Sequence, residues 1–340
     1  MLSADFYQEH LDRVSRSFAF CIQQLPSPLR DWVGLSYLLC RVVDTIEDAP
    51  WNDGNLQRSA FQCFDESLER ASQVEGLLAL NSSLSGISDG ERDLLKVAPA
   101  LMRDYHQLPA SVHEVLHDAI QSMSLGMQHF SDHRPLRLKN LSEVNQYCFF
   151  VAGVVGELLA NLLAQFQPDF QITQDRLLSA HHFGLFLQKV NLLKDQVEDE
   201  QVGRYLVPDR QKVEDSAGLN AAKALEFLKS IPTDQLEFRR FCAWSLFLGL
   251  ESLLVSRDSV KFGRALKVER TRTQELLAEV EAKLLDNLEM GLLFSDFARQ
   301  LGWGSFERPL AQSEIPIWIL ENYRGSLSST NLQFLGIASA

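Results

Sequence analysis

Cysteine is scarce in this chain and follows no pairing pattern. Its five residues, Cys21, Cys40, Cys63, Cys148 and Cys242, are odd in number and scattered, and none stands in C-x-x-C spacing. This argues against a disulfide framework and a cysteine-zinc site, and for a reduced, cytoplasmic setting. Positive charge is also short. The 32 Lys and Arg face 45 Asp and Glu, a formal net charge of -13 at pH 7. That field repels nucleic acid and strongly anionic membranes, so no nucleic-acid partner is expected. The start, Met1-Leu2-Ser3-Ala4-Asp5, lacks the basic residues and apolar run of a secretory signal. A clean membrane span is missing as well. The best candidate, Tyr147 to Phe166, is crossed by Glu157, Asn161 and Gln165 at i, i+4 and i+8, one polar stripe on a helix. A buried amphipathic helix is the reading, with no transmembrane anchor.

Strand alternation is almost absent, while helical periodicity runs through long segments. A helix is expected to begin near Asp31, after Pro26 and Pro28, and to stop near Pro50. Residues 81–90 read as a loop. Helices follow from about Glu91, then from about Ser111 to Phe130. A basic loop at 131–140 carries His133, Arg134, Arg137 and Lys139. Further helices are expected around Tyr147, from Gln174 to Glu200, through the apolar run Phe241 to Leu254, and from Gln274 to Leu293. No linker divides the chain. The expectation is one all-α domain over 1–320, with 321–340 a poorly ordered tail.

Two carboxylate clusters of one pattern stand out in this helical background. Asp44-Thr45-Ile46-Glu47-Asp48 and Asp195-Gln196-Val197-Glu198-Asp199 both read D-x-x-E-D. On a helix, positions i, i+3 and i+4 share a face. Each cluster also extends backwards along its helix as a polar stripe. Tyr37, Arg41, Asp44 and Asp48 make the first; Gln188, Asn191, Asp195 and Asp199 make the second. Apolar residues flank both, so each stripe should line a polar cavity, because buried charge otherwise costs several kcal/mol per ion. A solvated outer face explains a lone acidic run but not the copy. Six carboxylates aimed into one space call for cations, and hard Mg²⁺ prefers oxygen ligands and shares them with phosphates. The pair predicts a metal-bridged diphosphate site between two facing helices. Arg16, Arg41, Lys194 and Arg204 flank the clusters and suit phosphate oxygens.

Three other letter matches point elsewhere. His113-Glu114-Val115-Leu116-His117 fits H-E-x-x-H in a helix. No third ligand is identifiable in the sequence, and Val112, Leu116 and Ile120 form an ordinary core face, so a solvated histidine pair is the reading. Gly86-Ile87-Ser88-Asp89-Gly90 fits G-x-S-x-G without a preceding strand, which makes it a turn. Gly153-Val154-Val155-Gly156 lacks a dinucleotide-fold context, and close helix packing is expected there.

Taken in order, several stretches resemble the squalene and phytoene synthase family over about residues 7 to 290. They are Ser15-Arg16-Ser17-Phe18; Tyr37 with Arg41-Val42-Val43-Asp44-Thr45-Ile46-Glu47-Asp48; Tyr147-Cys148 with Val151 to Gly156; and Phe186-Leu187-Gln188-Lys189-Val190-Asn191 through Asp195 to Asp199. Gly203-Arg204 and Pro208 complete the set. The resemblance implies an all-α isoprenoid synthase fold, a single helical bundle with a central apolar cavity. It implies Mg²⁺ held by Asp44, Glu47, Asp48, Asn191, Asp195, Glu198 and Asp199. Ser15, Arg16, Ser17, Arg41, Lys194 and Arg204 would bind diphosphate. Phe18 and Gln188 would line the substrate cavity, and Tyr37 and Tyr147 would face the reacting carbons.

The implied reaction is a head-to-head condensation of two farnesyl diphosphates to presqualene diphosphate, followed by reduction with NADPH. Arg16, Arg41, Lys194, Lys267 and Arg270 are the implied cofactor contacts. Phe186 to Lys189, Phe241-Cys242-Ala243 and Leu266 to Arg270 look more like the squalene-forming members than the phytoene-forming ones. Trp244-Ser245-Leu246 and Glu269 depart from many eukaryotic members. The alternatives are a member that stops at presqualene diphosphate, dehydrosqualene or phytoene, and a silent assembly-factor relative. The last should have lost its metal ligands, and both motifs are intact. An oily product implies peripheral membrane contact for its release.

Overall fold

The computed structural model describes residues 2–84, 86–132, 136–262, 266–304 and 314–338; the side chains of 16, 17, 81–83 and 258–261 lie outside the description. The described residues form helices and no strand, apart from an isolated parallel bridge between Arg137 and Tyr205. The chain divides into two compact units. One comprises Met1–Asp132, Asn161–Asp169 and Asn322–Gly325; the other comprises His133–Ala160, Phe170–Glu321 and Ser326–Ala340. The dividing line at 160/161 runs inside the helix Val154–Phe166, which is why no linker composition marks it. The Leu141–Phe166 stretch is long and apolar enough to cross a membrane, but 72% of its apolar window is buried inside the protein.

The first unit is built on the helix Leu29–Asp48, which packs against Asp89–Tyr105, Ala110–Ser131 and Ala4–Val14. Leu35, Leu38, Leu39, Val42, Val43 and Ile46 are fully or almost fully buried along it. It starts at Leu29 rather than Asp31, since Asp31 acts in its first turn and accepts a hydrogen bond from Ser27 Oγ at 2.7 Å. Its end is anchored from outside. Trp51 Nε1 donates to the Ile46 carbonyl at 2.8 Å, and buried Gln57 Nε2 donates to the Ile46 and Glu47 carbonyls at 3.0 and 3.1 Å. These bonds satisfy carbonyls that the helix cannot pair internally.

The second unit is organised around the helix Gln174–Gln201, packed on Arg210–Ser230, Leu236–Phe262 and the π-helical turn Phe149–Gly153. Glycine sets how close these helices come. A Cβ on Gly156 would lie 1.9 Å from the Ala180 carbonyl oxygen, and one on Gly184 would lie 1.9 Å from that of Ala152. The glycines of the Gly153 to Gly156 stretch thus serve close packing. Between them, Glu157 is spent in the core, bonded to His181 Nε2 at 2.9 Å and to the Ser326 backbone N–H at 2.6 Å.

Lys189 ties the same helix to its neighbour. Its buried Nζ donates to Ser216 Oγ at 2.6 Å and to Asn220 Oδ1 at 2.5 Å, and Asn220 Nδ2 contacts His182 Nδ1 at 2.7 Å. Burial pushes the Lys189 ammonium down to about 8.

Three expectations need correction. Residues 78–83 are helical, so the loop after them is shorter than 81–90. The run Gln274 to Leu293 is two helices, Arg270–Lys283 and Asn287–Gln300. Asp286 breaks it by accepting from the Leu288 and Glu289 N–H groups, which starts the second helix. Residues 326–338 are no loose tail. Leu327, Leu332, Leu335 and Ile337 are buried, and Asn145, Gln146 and Ser142 donate to the carbonyls of Gly336, Ile337 and Ala338. Four separated apolar side chains in a polar stretch give no periodic signal, yet each finds a place.

Gly156→Ala should destabilise the protein by about 1–3 kcal/mol, as forced overpacking does. Gly54→Ala, where a Cβ meets nothing within 4 Å, should not. Urea unfolding of both checks this, and equal midpoints would overturn the packing argument.

Buried Lys189 makes stability depend on pH. Below about pH 8 both folded and unfolded states are protonated, and the fold bears the full cost of a buried charge. From there to the ordinary value of 10.5 only the unfolded state keeps the proton, so stability rises with pH. The gain is on the order of 3 kcal/mol. Lys189→Met should lack this rise, and the stability difference between wild type and variant, measured by urea unfolding from pH 7.5 to 10.5, isolates it.

Candidate active site

Both D-x-x-E-D clusters occupy the C-terminal turns of their helices, Leu29–Asp48 and Gln174–Gln201. That is the negative end of the helix dipole, where each carboxylate is unfavourable by about 0.3–1 kcal/mol. The arrangement therefore demands positive charge from elsewhere.

In the first unit Asp44, Glu47 and Asp48 each place a carboxylate oxygen so that all three lie within 4.8 Å of one another. Glu47 is buried, Asp44 half-buried and Asp48 exposed. Arg41, one turn earlier, pairs with Asp44 through Nη1 and with Glu91 Oε1 at 2.6 Å through Nη2. Its Nε is buried and makes no hydrogen bond among the described residues. Asp44 beside it pushes the Arg41 pKa up, against the opposing pull of burial. Glu91 is held below the ordinary carboxylate range: burial works against this, and hydrogen bonds from Ser88 together with the Arg41 charge outweigh it. Ser88 and Glu91 also form a capping box, so Ser88 is a helix start and no nucleophile.

Tyr37 belongs to the same group. Burial pushes its phenol above the ordinary value, opposed by the Ser15 hydroxyl and Arg41. The Phe18 ring lies 5.7 Å from the Tyr37 ring. Ser15 caps the short helix Arg16–Ile22, its Oγ accepting from the Phe18 N–H at 3.4 Å. The fold thus gathers Ser15, Phe18, Tyr37, Arg41 and the first cluster. Arg16 and Ser17 are helical, and their side chains lie outside the described residues.

In the second unit Gln188, Asn191, Asp195 and Asp199 are all half-buried along one stripe, while Glu198 is exposed. Lys194 Nζ approaches Asp195 Oδ2 at 3.2 Å, and Arg204 Nε approaches Asp199 Oδ1 at 3.9 Å. Burial pushes the Asp195 carboxyl up and Glu198 adds to this, whereas Lys194 and Lys267 oppose it. Lys267 and Arg270 are themselves exposed.

Tyr147 is buried, and Arg204 Nη2 donates to its hydroxyl oxygen at 3.2 Å. Gly203, at φ +83°, makes the turn that returns Arg204 to the helix end, with the Arg204 N–H bonded to the Asp199 carbonyl at 2.9 Å. A π-helical turn begins two residues after Tyr147, a device common beside functional sites.

Some supporting residues gave no signal in the sequence. Glu91 joins Arg41 across 50 positions. Arg210 clamps the second cluster from behind, bonding the Leu193 carbonyl and Gln196 Oε1 at 2.9 Å each, Ser256 Oγ at 2.9 Å and Glu214 Oε1 at 3.0 Å. The Ser88-x-x-Glu91 spacing is a capping-box signature that marks a helix start, but it carries no sign of the contact with Arg41.

The all-oxygen first cluster fits Mg²⁺, which takes carboxylates and completes its shell with water and phosphate. The fit rests on the three converging carboxylate oxygens.

Comparison with known proteins identifies the family and the fold. The squalene/phytoene synthase family model matches residues 11–234. The squalene synthase of Mycosarcoma maydis is 32% identical over 203 residues, covering 59% of this chain and 34% of that protein. The chain spans about a third to a half of the length of the curated relatives it matches. A solved structure of TcSQS with a ligand superposes with a TM-score of 0.73 at 21% identity, covering 97% of this chain and 98% of the other. A dehydrosqualene synthase in complex with a ligand gives 0.56 at 21%, covering 82% and 95%. At these identities the structural likeness establishes the all-α isoprenoid synthase fold.

Mn²⁺, a spectroscopic substitute for Mg²⁺, should bind the first cluster. Asp44→Asn and Glu47→Gln should each weaken or remove at least one class of Mn²⁺ site by about tenfold or more. Electron paramagnetic resonance titration reads this, and unchanged binding in both variants would remove the metal assignment.

Proposed function

We propose that this chain, which belongs to the squalene/phytoene synthase family, is a prenyltransferase that joins two farnesyl diphosphates head to head and reduces the product to squalene. The observation that carries this reading is the first cluster, three converging carboxylates at a helix C-terminus beside half-buried Arg41, whose buried Nε has no hydrogen-bond partner among the described residues. Mg²⁺, when bound, would neutralise charge on the departing diphosphate and make it a leaving group. The residues proposed to hold it are Asp44, Glu47 and Asp48, with Asn191, Asp195, Asp199 and the exposed Glu198 from the second motif.

The remaining work falls to the protein's own groups. Arg41 already leans on Asp44 and Glu91, and its free Nε is placed to meet a phosphate oxygen. Lys194 and Arg204 carry the same charge beside the second motif, and Ser15, Arg16 and Ser17 are proposed to add hydrogen bonds. Tyr37 stays protonated, and its ring, with Phe18, offers an aromatic face to an allylic cation. Tyr147 accepts a hydrogen bond from Arg204, and its phenol is proposed to face the carbon skeleton, where it would assist proton removal. The apolar residues flanking both stripes, together with Gln188, keep water from the cation.

For the second step, exposed Lys267 and Arg270 are proposed to meet the phosphates of NADPH, with Arg16, Arg41 and Lys194 as further contacts. The protein is placed in the cytoplasm, with peripheral contact to a membrane where the oily product leaves.

Incubation of the purified protein with farnesyl diphosphate and Mg²⁺, with and without NADPH, tests the reading. Squalene should form only with NADPH. The same product in both tubes would replace it with a presqualene diphosphate, dehydrosqualene or phytoene synthase. No product in either would favour the silent assembly-factor relative. Asp44→Asn and Asp195→Asn should each lower turnover by about a hundredfold or more while circular dichroism stays unchanged.

A further inference from the structure

Residues 326–338 form a strap across the second unit, and it is tied to the helix that carries Tyr147. Three side chains of the helix Leu141–Cys148 donate to successive strap carbonyls: Asn145 Nδ2 to Gly336 at 3.0 Å, Gln146 Nε2 to Ile337 at 2.9 Å and Ser142 Oγ to Ala338 at 2.6 Å. The strap's short helical turns, Ser329–Leu332 and Gln333–Leu335, pack on the helix Gln174–Gln201, which bears the second D-x-x-E-D cluster. We propose that Asn145 and Gln146 are positioning residues: bonded to the strap, they fix the rotation of their helix and with it the location of the Tyr147 phenol. The inference rests on the proposed prenyl transfer, in which Tyr147 faces the reacting carbons.

Helix geometry connects the tie to the phenol. Ser142, Asn145 and Gln146 stand at i, i+3 and i+4 and share one face. Each further residue turns by about 100°, so Tyr147 leaves the helix on the side away from that face. A short helix held along one face cannot roll about its axis. A roll of about 10° would carry a phenol oxygen, about 8 Å from the axis, through about 1.4 Å. Misplacement of a reacting group by about 1 Å can cost on the order of a hundredfold in rate.

The tie is built from groups shielded from water. Asn145 and Gln146 are both buried, and a buried amide that loses its acceptor bears the full cost of its desolvation. Gln146 Nε2 also meets Ser142 Oγ at 3.2 Å, which joins two of the three donors. On the strap's side, buried Leu332, Leu335 and Ile337 hold the backbone down. Gly336 turns it at φ +68°, and a Cβ there would lie 2.7 Å from Asn145 Nδ2. A glycine is required for the carbonyl to reach the amide.

Beyond the helix, the Tyr147 hydroxyl meets Arg204 Nη2 at 3.2 Å, and the Arg204 N–H is bonded to the Asp199 carbonyl at 2.9 Å. Strap, helix, phenol and the end of the second cluster are thus linked in series. The strap's beginning is anchored separately. Gln174, on another helix, donates to the Ser326 carbonyl at 2.9 Å and accepts from the Ser328 N–H at 2.8 Å. Loosening that end should weaken the strap without freeing the Tyr147 helix.

Fluorine NMR of the full-length protein labelled with 3-fluorotyrosine, together with steady-state kinetics on farnesyl diphosphate, tests this. The Tyr147 resonance is assigned by its loss in Tyr147→Phe. Asn145→Ala and Gln146→Ala should each shift it and lower kcat about tenfold at unchanged KM. Gly336→Ala, which keeps both amides, should act likewise from the strap's side. Gln174→Ala should lower the melting temperature and leave resonance and kcat as in wild type. Circular dichroism confirms the fold of each variant, and Ser142→Ala, which leaves no buried amide unpaired, replaces any that fails to fold. The proposal is overturned if every folded variant of the tie keeps the wild-type resonance, or if Gln174→Ala lowers kcat as far as they do. A wild-type protein that forms no product would defeat the proposed function instead, and the fluorine resonance alone would then decide the tie.

Discussion

Placing three carboxylates on the last turn of a helix sets the oxygens against one another and against the helix's own carbonyl dipoles. This cost is repeated at two places in the chain, at Asp44–Asp48 and Asp195–Asp199, and the structure around each can be understood as its management. Part of the offset is internal. Arg41 stands against Asp44, Lys194 against Asp195 and Arg204 near Asp199. These basic groups leave a net excess of anionic charge on both stripes. Under the proposed function, Mg²⁺ would relieve it, and a diphosphate substrate would share the same countercharges.

Holding such helix ends in place takes polar contacts from behind. Gln57 and Trp51 pair the last carbonyls of the first helix, and Arg210 ties the second to its neighbours by bonding the Leu193 carbonyl and Gln196 on it and Glu214 and Ser256 on adjacent helices. Lys189, one residue from half-buried Gln188, is itself fully buried and bonded to Ser216 and Asn220. A buried amine is costly to keep, and removing either of its partners would leave a polar group unsatisfied in the core. The face behind the polar stripe is thus tied to its neighbours by the bonds of Lys189 and Arg210. Gly156 and Gly184 add to this by letting backbones meet where no side chain fits.

Much of this was legible in the residues alone. Helical period identified the all-α class, and repetition of D-x-x-E-D singled out the two clusters. The spacing of Tyr37, Arg41, Asp44 and Asp48 placed them on one face, which the observed helix preserves. Less was legible where local pattern and tertiary burial disagree. Residues 326–338 look like a loose end, yet their few apolar side chains find places in the second unit and their carbonyls meet Ser142, Asn145 and Gln146. Asp286 split a helix that periodicity had joined, because a side-chain cap is a local event that averaging over a window conceals.

What the sequence determined by itself is everything that depends on period and on residue type: the helices, their polar faces, the oxygen-rich donor sets and the basic residues beside them. Neighbours along a helix are fixed by its 3.6-residue turn, and no knowledge of the rest of the chain is needed to place them. Contacts between residues far apart in the chain were decided only by the tertiary structure. Glu91 meeting Arg41, Arg210 bracing Leu193 and Gln196, Arg204 reaching Tyr147, and Glu69 arriving at His117 all depend on how helices pack. Packing is set by the summed burial of many apolar side chains, so no single residue carries its signature.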